Sequence, residues 1–141
     1  MTAKEYLSGI RKKRLHCRTL AAKLEEIEEM AKGVKAVTYD KDKIQVTPAN
    51  MMEQYMMEYM EVSEKLAKAL SEYGRQIAVA EQQIEAMPNF LHAEILRLRY
   101  IADDNGRRMT LERIACEMHK SFDRVRHLHG QALREFERRY L

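Results

Sequence analysis

Apolar residues recur every three or four positions through most of this chain, a spacing that predicts helices and leaves little room for sheet. Over residues 3 to 32, Leu7, Ile10, Cys17, Leu20, Ala21, Leu24, Ile27 and Ala31 share one side of a first helix. Gly33 can end it, because glycine readily takes the left-handed conformation that closes many helices. The following stretch alternates weakly around Asp40-Lys41-Asp42-Lys43, which allows a short β-hairpin in the 34–46 connector. Thr47-Pro48 then reads as an N-cap followed by proline at the first helical position, where its missing N–H forfeits no helical bond.

A second, longer helix carries a sustained 4-3 repeat: Met52, Met56, Tyr59, Ser63, Leu66, Leu70, Tyr73, Ile77, Ala80, Ile84 and Met87. At 1.5 Å per residue this seam is about 54 Å long, more than a small compact domain can bury. It needs a partner helix. The first helix folded back as an antiparallel hairpin is one candidate, and a second copy of the chain is the other. Met51, Met52, Met56, Met57 and Met60 are either core or an adaptable binding surface.

Pro88-Asn89 breaks that helix and divides the chain into a helical hairpin or coiled-coil domain, 1–88 with its connector at 33–48, and a small terminal domain, 89–141. In the latter, Phe90, Leu91, Ile95, Leu96 and Leu98 predict a supporting helix, and Asp103-Asp104-Asn105-Gly106 a loop. Thr110 caps a short helix with Ile114, Ala115 and Met118 inside, and Ser121 caps a second with Val125, Leu128, Ala132, Leu133 and Phe136 inside. Asp123, Arg124, Arg126, His127, Gln131 and Arg134 are left outside. Two helices crossing through so short a turn need a side chain without bulk at their closest approach, and Ala115 lies there. The span Thr110 to Gly130 therefore reads as a helix-turn-helix, and the whole chain as all-α.

Composition agrees: 141 residues with five Gly, two Pro and ten Met favour long helices. The net charge of +3 hides an uneven distribution, +4 over residues 1–48, −4 over 49–88 and +3 over 89–141. The ends can face a polyanion and the middle cannot. Four of the five histidines lie in the last segment, so its positive charge is expected to grow as pH falls toward their ordinary pKa. Arg11-Lys12-Lys13-Arg14 is either a solvated face or a contact for phosphate or an acidic surface. With no long apolar run and a charged start, the chain is expected to be cytoplasmic and not membrane-bound.

Other chemistry finds little support. Cys116, His119, His127 and His129 invite a zinc reading, but a His-x-His pair on a helix diverges by about 200°. Cys17 and Cys116 are isolated thiols. There is no phosphate-cradling glycine loop and no nucleophile motif, so no enzyme, metal or cofactor is expected.

Taken together, Glu94-Ile95-Leu96-Arg97-Leu98-Arg99-Tyr100, Thr110-Leu111-Glu112-Arg113-Ile114-Ala115 and Ser121-Phe122-Asp123-Arg124-Val125-Arg126-His127-Leu128-His129-Gly130-Gln131-Ala132-Leu133 resemble the fourth, promoter-reading region of bacterial sigma factors. The chain is also similar to small phage and prophage regulators of the ArpU and RinA type, through these motifs and the Tyr39-Asp40 to Ile44-Gln45-Val46 connector. It departs from the family pattern at His119, a turn position where glycine is usual, and in a longer Asp103 to Arg108 loop.

The resemblance implies that Phe122, Asp123, Arg126 and His127 face base edges, with Phe122 alternatively folded back onto the preceding helix. Arginine can bond guanine O6 and N7 together, and aspartate can accept from cytosine N4. Arg113, Lys120, Ser121 and Arg124 suit phosphates. The expectation is a sequence-specific regulator of phage or prophage origin that reads double-stranded DNA with helix 121–138 and dimerises. The alternative is an adaptor that binds RNA polymerase or a phage assembly component.

Overall fold

The computed structural model describes residues 1–37 and 48–141, and the chain is all-α. Two long helices, α1 (Ala3–Val37) and α2 (Pro48–Glu85), precede three shorter ones, α3 (Phe90–Leu96), α4 (Leu111–Met118) and α5 (Phe122–Tyr140). The last turn of α3 relaxes into a π-helical stretch, Arg97–Ile101, closed by a 2.8 Å bond from the Ala102 N–H to the Arg97 carbonyl. Among the described residues there is no strand beyond a single bridge between Asp104 and Arg107.

Local chemistry accounts for each start and stop. Thr2 and Glu5 form a reciprocal capping box at the head of α1, each side chain accepting the other's backbone N–H at 3.1 and 2.9 Å. Asn89 caps α3 by accepting from the Leu91 and His92 N–H groups at 3.0 and 3.2 Å. Pro88 ensures that α2 cannot run on into α3. Asn105 and Gly106 both have positive φ, 51° and 84°, the conformation of a type I′ turn, and they bring Asp104 and Arg107 into two mutual backbone bonds.

Two expectations about the connector change. Gly33 does not end α1, which runs on through Val37, so residues 34–37 of the expected 34–46 hairpin are helical. Glycine inside a helix costs only about 1 kcal/mol against alanine, so Gly33 is tolerated one turn before the helix ends. The remainder of that hairpin, and the Thr47 cap, lie outside the described residues. Pro48 does open α2.

The described residues form two compact units, Met1–Lys13 with Tyr73–Leu141, and Arg14–Glu72. In the first, Ala3, Leu7 and Ile10 of α1, Ala80, Ile84 and Met87 of α2, Leu96, Tyr100, and Ala132 and Phe136 of α5 make one continuous core. A second core joins Ile95, Met109, Ile114, Ala115, Val125 and Leu128. One helix serves both: α5 gives its first half to α3 and α4, and its second half to the ends of α1 and α2. Tyr140 donates to the Gln83 carbonyl at 2.6 Å, and Tyr6 to the Gln83 side chain at 3.1 Å. Residues on either side of Pro88 thus fold together.

In the second unit Cys17, Ile27, Val34 and Val62 are buried. Tyr59 donates to Glu28 at 3.2 Å and Lys23 pairs with Glu58 at 3.7 Å. Of the expected seam, Ala80, Ile84 and Met87 are buried, and Leu66, Tyr73 and Ile77 are partly so. Toward the start of α2 it departs: Met56, Tyr59 and Leu70 are 61%, 36% and 49% exposed in a single chain, while Val62 is buried. A strict seven-residue repeat drifts about 20° per heptad on a straight helix, so the buried stripe moves off the heptad line.

Candidate nucleic-acid interface

The turn between α4 and α5 is built from three consecutive residues, His119, Lys120 and Ser121. Thr110 opens α4 by accepting the Arg113 N–H at 3.2 Å. At the far end His119 takes the left-handed conformation, φ 54° and ψ 44°. The Lys120 N–H then reaches the Ala115 carbonyl at 3.0 Å and the His119 N–H the Cys116 carbonyl at 3.2 Å, the two crossed bonds of a Schellman ending. The chain leaves α4 in a set direction. Ser121 starts α5 at once, its hydroxyl accepting the Arg124 N–H at 3.2 Å. Ala115, 6% exposed, sits among Ile114, Val125 and Leu128, where a larger side chain would hold the helices apart.

This geometry decides which side of α5 is free. Val125 and Leu128 are 0% and 2% exposed, while Arg124 before them and the intervening Arg126 and His127 are exposed. Phe122 is 41% exposed, so it stands outside the core rather than folding back to fill it. Asp123 and Arg126, one turn apart, make a 3.5 Å ion pair whose side chains are 80% and 64% exposed. Such a pair is worth well under 1 kcal/mol and opens readily to other partners.

The four residues assigned to phosphates differ in how they are held. Arg124 is exposed at the start of α5 and Lys120 is half-buried in the turn. Arg113 reaches Asp104 at 3.6 Å and Glu117 at 3.8 Å, so its charge is shared before any ligand arrives. Ser121 uses a lone pair of its hydroxyl as the α5 cap and keeps its O–H to donate. Positive charge thus gathers around the N-terminus of α5, where the helix dipole also favours an anion.

Behind this face lies a polar layer that sequence spacing did not reveal. The Tyr100 hydroxyl is hydrogen-bonded to His129 Nε2 at 2.9 Å, with the ring centroids 5.8 Å apart and the rings stacked. Burial first, then the charges of Arg99, Lys4 and Arg108, push the His129 pKa down from 6.5 to about 4. His129 is therefore neutral at pH 6.5, and the expected gain of charge on acidification does not extend to it. Arg99 donates to the Met109 carbonyl at 2.6 Å and its Nε is buried without a hydrogen-bond partner. Desolvation and the neighbouring Arg108 weaken its hold on its proton. His92 meets Glu135 through Nδ1, tying α3 to α5. The aromatic that recurs at Tyr100 and the histidine at His129 were visible as residues, but their pairing across 29 positions was not.

Three further expectations meet the structure here. Arg11, from the basic turn of α1, is buried and donates to the Ala102 carbonyl at 3.4 Å, so it is committed internally. Cys116 is exposed on α4 while His129 points at Tyr100, which separates two members of the zinc reading. Among the described residues no group of three His, Cys, Asp or Glu side chains converges as a metal site. No helix of the described residues is long and apolar enough to cross a membrane.

Three packed helices, with the last two joined by a three-residue turn and an exposed basic face on the final one, define a helix-turn-helix module. Residues 89–135 match the model of the family described as sigma-70, region 4. The match runs from the Asn89 cap to Glu135 and leaves α1 and α2 outside it. No curated protein and no solved structure matches the chain.

Proposed function

We propose that this protein is a sequence-specific regulator of transcription, of phage or prophage origin, that reads the major groove of double-stranded DNA with the helix spanning 121–138. The observation that carries this reading is the alternation on α5: Val125 and Leu128 are buried while Arg126 and His127 between them, and Arg124 just before, are exposed. That arrangement docks the helix by its inner side and leaves its first two turns to enter a groove about 12 Å wide. Phe122, Asp123, Arg126 and His127 face base edges in this reading. Arg113, Lys120, Ser121 and Arg124 set the register on the phosphates. The likeness of residues 89–135 to sigma-70 region 4 supports it.

The protein is a binding module in this account, not an enzyme, and it acts in the cytoplasm without metal or cofactor. One recognition helix discriminates weakly, so two copies reading half-sites about 34 Å apart complete the proposal. Sequencing the genomic or phage DNA retained by the purified full chain tests it. Enrichment of one repeated site supports the reading. Retention of DNA without any enriched site removes sequence specificity from it.

A second reading, an adaptor that uses the sigma-like module to bind RNA polymerase or a phage assembly component, is separated by salt. Binding through several phosphates falls steeply between low and moderate salt, whereas an apolar helix-groove contact changes little.

A further inference from the structure

Three methionines close together on α2 lie outside every core: Met56, Met57 and Met60 are 61%, 66% and 62% exposed. Met57 and Met60 are one turn apart, and Glu53 and Glu64 extend their stripe a turn in each direction. A shallow depression on this stripe is lined by the two methionines with Gln54, Glu58, Glu61 and Glu64. Alongside it runs an apolar groove of about 150 Å³, floored by Ile27 and Ala31 of α1 and walled by Tyr55, Met56 and Tyr59. Met60 borders both.

A folded chain rarely leaves such side chains contiguous and exposed without a use. Methionine is also the apolar residue that adapts best to partners of varied shape, having three rotatable bonds and a polarisable sulfur. Charge then selects the occupant. Residues 49–64 contain Glu53, Glu58, Glu61 and Glu64 and no lysine or arginine. Lys23 and Lys65 reach Glu58 and Glu61 at 3.7 and 3.4 Å, but these pairs are exposed and offset the field only weakly. A second copy packed symmetrically would set the same carboxylates against one another, and a nucleic acid would be repelled outright. A cationic partner gains on both counts.

We propose that this Met-rich, carboxylate-edged face of α2 binds an amphipathic helix of another protein, apolar along one stripe and rich in lysine or arginine at its edges. The apolar stripe lies on Met57 and Met60 and reaches into the groove beside Met56, while the flanking cations meet Glu53, Glu61 and Glu64. The site is separate from the α5 face and does not depend on the DNA reading.

The test uses the full chain and a synthetic peptide of about 18 residues with leucines at helical spacing and lysines elsewhere. Binding is followed by fluorescence anisotropy and by the NMR shifts of the methionine methyls. Saturable binding is expected, with shifts at Met56, Met57 and Met60 and none at the buried Met87 and Met109. Glu61→Lys with Glu64→Lys, and separately Met57→Gln with Met60→Gln, should each weaken it about tenfold or more. All four positions are exposed, so the variants should melt as the parent does. The proposal fails if no saturation is reached by about 100 µM peptide, the far side of a weak specific interaction. It also fails if a leucine-glutamate peptide binds as well, or if the shifts fall elsewhere. Conversion of a dimer to a monomer by the methionine pair, seen in sedimentation, would assign the face to a second copy and overturn it. DNA binding is measured on the same samples, so loss of the regulator reading and loss of this one are told apart.

Discussion

The Tyr100 hydroxyl and His129 Nε2 are hydrogen-bonded across 2.9 Å, and this bond joins the end of α3 to the middle of α5 directly beneath the exposed basic face. Burial and the cations around it hold the imidazole neutral. The consequence is a stability that depends on pH.

The unfolded chain binds a proton at His129 near 6.5, and the folded chain only near 4. Between those values the unfolded state holds more protons, so stability rises with pH, is fully present above about 6.5, and is lost as pH falls toward 4. Because the ring is only partly buried, the loss should be on the order of 1–2 kcal/mol. Urea unfolding of the parent and of His129→Gln, at a series of pH values, measures it. The variant should show a flatter profile over that interval, and an identical slope would show that other groups set it.

Arg126 and Lys120 should separate specificity from affinity. Arg126→Ala is expected to lose about 1–3 kcal/mol at a cognate site and relax preference at one base pair. Lys120→Ala should weaken binding to all sequences and reduce the salt slope by about one phosphate contact. Binding measured against a panel of single-base variants reads both. An unchanged preference in the Arg126 variant would remove that side chain from base reading.

His119 holds a left-handed conformation, φ 54°, that glycine adopts without strain. His119→Gly should therefore raise stability, by about 0.5–1 kcal/mol once the greater freedom of glycine in the unfolded chain is subtracted. Thermal melting tests the sign. A lower melting temperature would mean that the imidazole makes a stabilising contact of its own.

Phe136, fully buried, packs between Tyr6 and Tyr140 with ring centroids 5.8 and 4.9 Å away. Phe136→Ala should cost about 3–5 kcal/mol. Since α5 belongs to both cores of the first unit, the damage should reach the recognition face. Hydrogen exchange at Val125 and Leu128 should quicken along with that at Ile84. Unchanged protection at Val125 would show that the two halves of α5 are stabilised independently.

The helices and the turn that positions the site were written in local terms. Thr110, Ser121 and Asn89 are caps whose side chains reach backbone groups only two or three residues on, and the inward spacing of Ile114, Val125 and Leu128 belongs to a single helix turn repeated. Such interactions survive translation from a linear pattern because both partners lie within a few residues of each other. The Thr2-to-Glu5 box is equally local.

What chain order could not disclose were matters settled between distant segments. The heptad line ran through Met56 and Leu70, but a straight helix drifts away from it, and burial went to Val62 instead. Arg11 looked like part of a solvated basic turn until the Ala102 carbonyl, 91 residues later, came within its reach. His129 looked like one histidine among several until burial and the surrounding cations lowered its pKa. A side chain's helical face follows from its own neighbours in sequence, whereas its burial, charge state and partner are properties of whatever packs against that face, and these exist only once the chain has closed on itself.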